Sequence, residues 1–117
     1  MGKQIEFIVE WTVTGDTDAF KRAARGATMM VLREEPNALR YQWYVDEHGK
    51  TFVLTECYAD SDAMLLHHRN IARHLPALNA LGRVTRFEIL GDLSPEAEGA
   101  AAQMGAKRLR YWEGVNR

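Results

Sequence analysis

The chain contains 117 residues, 46% of them hydrophobic, which is enough apolar surface to bury the core of one domain and argues against a second. Its formal net charge is −1, so no field of one sign exists to attract nucleic acid or an anionic membrane. No apolar run approaches the length of a bilayer span and the first ten residues lack the features of a signal peptide, which predicts a cytoplasmic protein.

The first two elements are a strand and a helix. Apolar and polar residues alternate from Ile5 to Val13, which predicts a strand with one strongly apolar face. A turn with a capping residue follows at positions 14–17. Apolar residues then recur at helical spacing from Phe20 to Val31, so we expect a helix that ends before Pro36.

A β-hairpin is predicted next. Alternating residues run from Leu39 to Val45, a polar loop follows, and a second alternating run extends from Thr51 to Tyr58. The register that places the strongest apolar stripes on one face is expected to be the stable one. It pairs Val45 with Phe52, Trp43 with Leu54, Tyr41 with Glu56, and Leu39 with Tyr58.

A second helix and a fourth strand complete the pattern. Asp60 or Ser61 caps the helix, which we expect to be kinked or divided near Pro76. The strand is predicted from Val84 to Leu90. The order βαββαβ indicates an α+β, ferredoxin-like fold in which helices cover one face of a four-stranded antiparallel sheet.

Residues 94–117 lie outside this pattern and predict a helical extension. Ser94 followed by proline and glutamate is a good helix start, and Gly105 is expected to end the helix. The final segment, Lys107–Arg117, combines apolar residues with four positive charges. Two interpretations remain open, because this segment either packs on a partner subunit or is a flexible end.

The sheet face away from the helices is not uniformly polar. If the alternation holds, the apolar residues on that face are Ile8, Tyr44, Val53, Cys57 and Leu90. The same face of a second copy would cover them, which predicts a two-fold symmetric homodimer. A monomer whose sheet is half exposed to water is the alternative.

Glu56 lies in an otherwise apolar row that faces the helices. A buried carboxylate there must be hydrogen-bonded or partly protonated, and Tyr41, its expected neighbour across the hairpin, is a natural donor. Two interpretations follow. The pair either stabilises the register of the sheet or takes part in proton transfer.

The second helix carries histidines on its inward stripe. His67 and His74 lie two turns apart, so both rings could face the region of Trp43 and Glu56. One of them could act as a base near neutral pH, although a satisfied histidine at a helix–sheet boundary explains His67 equally well. Because His67 and His68 diverge around the helix, no metal site is expected.

The stretch EEPNALRYQWYVDEHGKTFVLTECYADSDAMLLHH, with the order of elements around it, resembles the antibiotic biosynthesis monooxygenase (ABM) family of dimeric α+β barrels. Its recognisable parts are the phrase EPNALRYQWY, the strand FVLTECYAD before a capped helix, and a histidine nine residues after Tyr58. The resemblance covers about residues 3–92, which predicts an ABM-like domain at 1–93 followed by the extension at 94–117.

The resemblance implies a monooxygenase that needs no cofactor and acts with dioxygen on a small hydroquinone or polyketide-type aromatic. By analogy, His67 would be the catalytic base and Glu56 its hydrogen-bonding partner. Substrate contacts are expected from Phe7, Trp11, Tyr41, Trp43 and His74. Two alternatives stay open, namely an isomerase, cyclase or decarboxylase that uses the same pocket, and a non-catalytic protein that binds a small aromatic.

Overall fold

The computed structural model describes residues 3–117, which form five strands and four helices. None of these helices is both long and apolar enough to cross a membrane. In chain order the elements are β1 (Ile5–Val13), α1 (Thr17–Glu34), β2 (Ala38–Val45), β3 (Thr51–Tyr58), α2 (Ser61–Ile71), α3 (Leu75–Leu81), β4 (Gly82–Leu90), α4 (Pro95–Met104) and β5 (Lys107–Leu109).

The sheet has the strand order β2-β3-β1-β4-β5. The first four strands are antiparallel neighbours, and this part confirms the predicted α+β, ferredoxin-like arrangement. The prediction of four strands is wrong, because β5 from the extension pairs in parallel with β4. A strand of three residues is too short to show an alternating pattern, so the sequence carries no signal for it.

The core lies between β1 and the helices. Every second residue of β1, from Ile5 to Val13, is buried on the helix side of the sheet. Phe20 of α1 is fully buried against this row. Asp16 caps α1 by accepting a hydrogen bond from the Ala19 amide at 2.8 Å, which aligns the start of the helix with the end of β1.

The hairpin adopts most of the expected register. The first three predicted pairs, from Val45–Phe52 to Tyr41–Glu56, are confirmed. The fourth is wrong: a β-bulge at Leu39 shifts the register, and Tyr58 pairs with Ala38 instead. The extra residue of a bulge increases the twist of the strand, here where the chain enters β2 from α1.

The predicted division of the second helix is confirmed. Helix α2 ends at Ile71 and α3 begins at Leu75, with Pro76 in the first turn of α3, where its missing amide proton is not needed. The predicted helix of the extension is also present. Ser94 caps α4, and Gly105 ends it with a φ of 70°, a left-handed conformation that favours glycine.

Candidate active site

A cavity of about 760 Å³ lies between the sheet and helices α2 and α3. Most of the residues predicted for the site line it, namely Phe7, Trp11, Tyr41, Trp43, Glu56 and His67. His74 is not among the lining residues. It stands at the start of α3, and its Nε2 atom is buried without a hydrogen-bond partner in the described residues. The structure therefore brings six of the seven predicted residues together.

His67 is held between two buried carboxylates. Its Nδ1 lies 2.9 Å from Oε1 of Glu35, and its Nε2 lies 3.5 Å from Oε1 of Glu56. The second oxygen of Glu35 accepts a hydrogen bond from Asn70 at 3.1 Å. An ionised carboxylate can only accept hydrogen bonds, so Glu35 favours the tautomer with the proton on Nδ1 and leaves Nε2 free on the side of Glu56.

The three groups of this Glu35–His67–Glu56 triad come from different elements. Glu35 terminates α1 directly before Pro36, and its amide bonds back to the carbonyl of Val31. Glu56 lies on the helix side of β3, and His67 lies on the buried face of α2. Glu35 was not among the residues expected at the site. Its only signal is an acid at the C-terminal end of α1, and nothing in the sequence shows that this end meets α2.

The hydroxyl group that binds Glu56 belongs to Tyr58, so the expectation of Tyr41 as the donor is wrong. Tyr58 is fully buried and donates to Oε1 of Glu56. The two residues are two positions apart on β3, so their side chains share one face. Tyr41 packs against His67 with a ring separation of 5.4 Å, and burial, with the charges of Glu56 and Glu35, raises its pKa well above the usual range.

Two members of the triad, Glu56 and His67, have raised pKa values. Burial raises the pKa of Glu56, and the opposing influence of His67 and of the Tyr58 hydroxyl does not cancel it. Burial alone would lower the pKa of His67, but the hydrogen bond to Glu35 and the charges of Glu56 and Glu35 raise it overall. A basic imidazole therefore stands beside a carboxyl group that holds its proton more readily than usual.

The sequence also matches a known protein family. The model of the family described as antibiotic biosynthesis monooxygenase covers residues 7–77, more than half of the chain. The chain belongs to the ABM family. The matched range includes all three members of the triad and most of the residues that line the cavity.

Solved structures show the same fold. MupZ from Pseudomonas fluorescens has a TM-score of 0.85 at 21% identity, with 98% of this chain and 95% of that chain covered. SnoaB from Streptomyces nogalater, described as a cofactor-independent oxygenase, has a TM-score of 0.68 at 18% identity, with 79% and 95% covered. A candidate antibiotic biosynthesis monooxygenase from Nitrosomonas europaea has a TM-score of 0.63 at 26% identity, with 81% and 95% covered. No curated protein matches the sequence.

Metal-ligating side chains and the single cysteine are further groups of this ABM protein that bear on its chemistry. Within residues 3–117 no group of three or more histidine, cysteine, aspartate or glutamate side chains is arranged to hold a metal ion. Cys57 lies beside Arg40 and Glu6 on the sheet face away from the cavity, and burial raises the pKa of its thiol. Cys57 is therefore a protonated, buried thiol rather than a nucleophile of the site.

Replacing Glu35 by glutamine in this ABM protein should lower the pKa of His67, because the carboxylate that favours the imidazolium is lost. The raised pKa of His67 stabilises the wild type fully below pH 6.5, and this stabilisation is lost as the pH rises through the raised value. The variant should therefore lose about 1.5–3 kcal/mol of unfolding free energy in mild acid, and less at higher pH.

NMR titration of the histidine ring signals and urea denaturation at several pH values measure these two effects. Glu34→Gln is the matched control, because Glu34 is the neighbouring residue and pairs with Arg73 on the exposed surface. An unchanged titration of His67 in the Glu35 variant would contradict the assigned role of Glu35.

Proposed function

We propose that this protein is a cofactor-independent monooxygenase that oxidises a small hydroquinone or polyketide-type aromatic with dioxygen in the cytoplasm. The observation that carries the proposal is the position of His67, which is 4% exposed and meets the cavity between two carboxylates. Membership of the ABM family supports a monooxygenase reaction. The chain also has the same fold as SnoaB, which is described as a cofactor-independent oxygenase, and this supports the proposal further.

Proton abstraction is the step that the protein performs. A phenol or enol that enters the cavity meets Nε2 of His67, whose lone pair is free because Nδ1 carries the proton bonded to Glu35. The raised pKa of His67 makes it a stronger base, and the charges of Glu35 and Glu56 stabilise the imidazolium that forms. Aromatic walls from Phe7 and Trp43 bind the ring of the substrate and exclude water.

The ionised substrate supplies the electrons for oxygen. For a substrate with a CH₂ group opposite its phenol, four electrons pass from that carbon to dioxygen. One oxygen atom becomes the new carbonyl oxygen, the other leaves as water, and the two hydrogens of the CH₂ group supply the hydrogens of that water. The proton taken by His67 returns to the phenol oxygen of the product, so the enzyme ends each cycle in its starting state.

Oxygen uptake tests the proposal. Protein that has been dialysed against a chelator and separated from any flavin is mixed with a panel of anthrones and naphthalene hydroquinones in an oxygen electrode. Uptake well above the spontaneous rate, with one oxygen atom from ¹⁸O₂ in the product, is the expected result. Uptake that never exceeds the spontaneous rate across the panel would refute the proposal.

An isomerase, cyclase or decarboxylase is the second candidate. It is favoured by the position of Glu56, whose Oε1 lies 3.5 Å from Nε2 of His67, because a second proton-transfer group beside the base supports moving a proton within the substrate without oxygen. Product formation under strict anaerobic conditions would select this candidate. Recovery of a tightly bound aromatic in unchanged form would instead select a binding protein.

We also propose a homodimer formed through the outer face of the sheet. The partly buried Ile8 and Val53 lie on this face, and Tyr44 is 56% exposed there. Light scattering should give twice the chain mass of 13.3 kDa. Val53→Lys should shift the protein toward the monomer, because it places a charge in the buried interface, whereas Leu32→Lys on exposed α1 should not.

The extension at 94–117, beyond the ABM-like unit at 1–93, is proposed to add to this dimer. Helix α4 and β5 pack on their own subunit, but the last residues, 110–117, have no regular structure and include Trp112, which is 87% exposed. An aromatic side chain at such exposure would gain from packing on the partner. Removal of residues 110–117 should therefore weaken the dimer in the same light-scattering assay. An unchanged dissociation constant of the dimer would indicate that this segment does not pack on the partner.

A further inference from the structure

The rim of the cavity, formed by the exposed residues Arg69, Ala72 and Asn79, carries a positive charge without an acidic partner. Arg86 also lines the cavity, but its guanidinium is bound to the carboxylate of Glu88 at 2.9 and 3.1 Å. Among residues 3–117, no side chain forms an ion pair or hydrogen bond with Arg69. Its planar guanidinium therefore remains available to an external anion.

The inner end of the same cavity is buried and lies beside two acidic side chains. Glu56 lines this end and Glu35 lies on the other side of His67, and each of the two is 3% exposed. An anionic group of a bound molecule would be repelled by these carboxylates and would lose its hydration beside them. The rim, by contrast, offers hydration together with the charge of Arg69. The cavity therefore accepts an anion at one end only.

The walls between the two ends are apolar. Val9, Leu54 and Leu78 also line the cavity, together with the aromatic residues already described. A volume of about 760 Å³ is large enough for a fused-ring aromatic. A molecule that suits all three regions has a weakly acidic hydroxyl at one end, an apolar ring system in the middle and an anion at the other end.

We infer that the substrate is an aromatic carboxylic acid, whose carboxylate binds Arg69 at the rim while its hydroxyl group lies against His67. This inference rests on the proposed function of the cavity as a substrate site, and it adds the substrate class and its direction of binding. Arg69 is a specificity-determining residue in this arrangement. It contacts the substrate far from the reacting atoms, so its loss raises KM and leaves kcat largely intact.

Ligand binding tests the inference without any need for turnover. The probes are 6-hydroxy-2-naphthoate and its neutral methyl ester, which share the ring and the hydroxyl group but differ in charge. Trp11 and Trp43 line the cavity, so quenching of tryptophan fluorescence reports the dissociation constant of each probe. We expect the wild type to bind the acid at least about tenfold more tightly than the ester, as a charge-assisted hydrogen bond provides.

Two arginine variants separate a local contact from a general effect of charge. Arg69→Gln should abolish the preference for the acid and leave the affinity for the ester unchanged. Arg73→Gln removes the same charge four residues further along the chain, where the arginine is bound to Glu34 at 2.7 Å and does not line the cavity. This control should keep the preference. Added salt should reduce the preference of the wild type, because the rim is exposed.

The possible results have distinct meanings. Equal binding of the acid and the ester by the wild type, or a preference that survives Arg69→Gln, would overturn the inference and leave the proposed monooxygenase reaction standing. A preference that depends on Arg69 in a protein that consumes no oxygen would support the inference and overturn the reaction. Failure of the wild type to bind either probe would overturn the inference together with the aromatic cavity on which it rests.

Discussion

Replacement of His67 by alanine is expected to lower kcat for oxygen consumption by about 10²–10⁴-fold, the usual contribution of a positioned general base. The imidazole is the group whose free Nε2 meets the cavity, and Glu35 and Glu56 support its protonated form. Neither carboxylate replaces it well, because Oε1 of Glu56 already accepts the hydrogen bond of Tyr58, and Glu35 is bound to Asn70 and does not line the cavity. Initial rates in an oxygen electrode at saturating substrate measure the loss.

The His67 experiment needs two controls. His48→Ala removes an exposed histidine from the hairpin loop and should leave the rate unchanged. His67→Gln keeps a polar side chain between the two carboxylates, so it separates a loss of the base from a loss of folding, which circular dichroism monitors. A folded His67→Gln protein that retains the wild-type rate would show that another group removes the proton.

Replacement of Phe20 by alanine is expected to lower the free energy of unfolding by about 3–5 kcal/mol. Phe20 is fully buried, and its ring centre lies 4.9 Å from that of Phe52, 5.7 Å from that of Trp11 and 6.0 Å from that of Trp43. Removal of the ring leaves a cavity where α1 meets three strands. Because small domains have a total stability of about 5–15 kcal/mol, this one change removes a large share of it.

Urea denaturation followed by circular dichroism measures the effect of Phe20→Ala, since the midpoint should fall strongly while the slope stays the same. Leu32→Ala on the same helix is the control. Leu32 is 74% exposed, so its truncation should change stability by no more than about 0.5 kcal/mol. Similar midpoints for both variants would mean that α1 contributes little to the core. Trp11 and Trp43 also line the active-site cavity, so Phe20→Ala should weaken probe binding as well.

The main elements could be predicted from the sequence because their signals are local. Strand β1 follows an uninterrupted alternation, and helices α1, α2 and α4 each begin at a polar capping residue whose side chain accepts a backbone hydrogen bond. The division near Pro76 follows from its missing amide proton. Strand β5 could not be predicted, because its three residues depend on the edge of β4 for their hydrogen bonds.

The site was only partly predictable, because its contacts are not local. Glu56 and His67 could be selected from their positions on apolar faces, and the cavity does bring them within 3.5 Å. Glu35 lies 32 residues from His67 in sequence, and their contact depends on where α1 ends above the sheet. Tyr41 and Tyr58 are both neighbours of Glu56, and a pattern of residue types does not determine which hydroxyl group reaches it.

Met104 and Gly105, at the end of α4, also line the cavity. The groups that move protons lie between positions 35 and 67, so chemistry and part of the wall are encoded in separate stretches of the gene. Redesign of the C-terminal stretch can therefore change the size and shape of the substrate that the cavity accepts, while the reaction centre stays intact. For enzyme engineering, α4 is therefore a suitable place for substitutions that change which substrates are accepted.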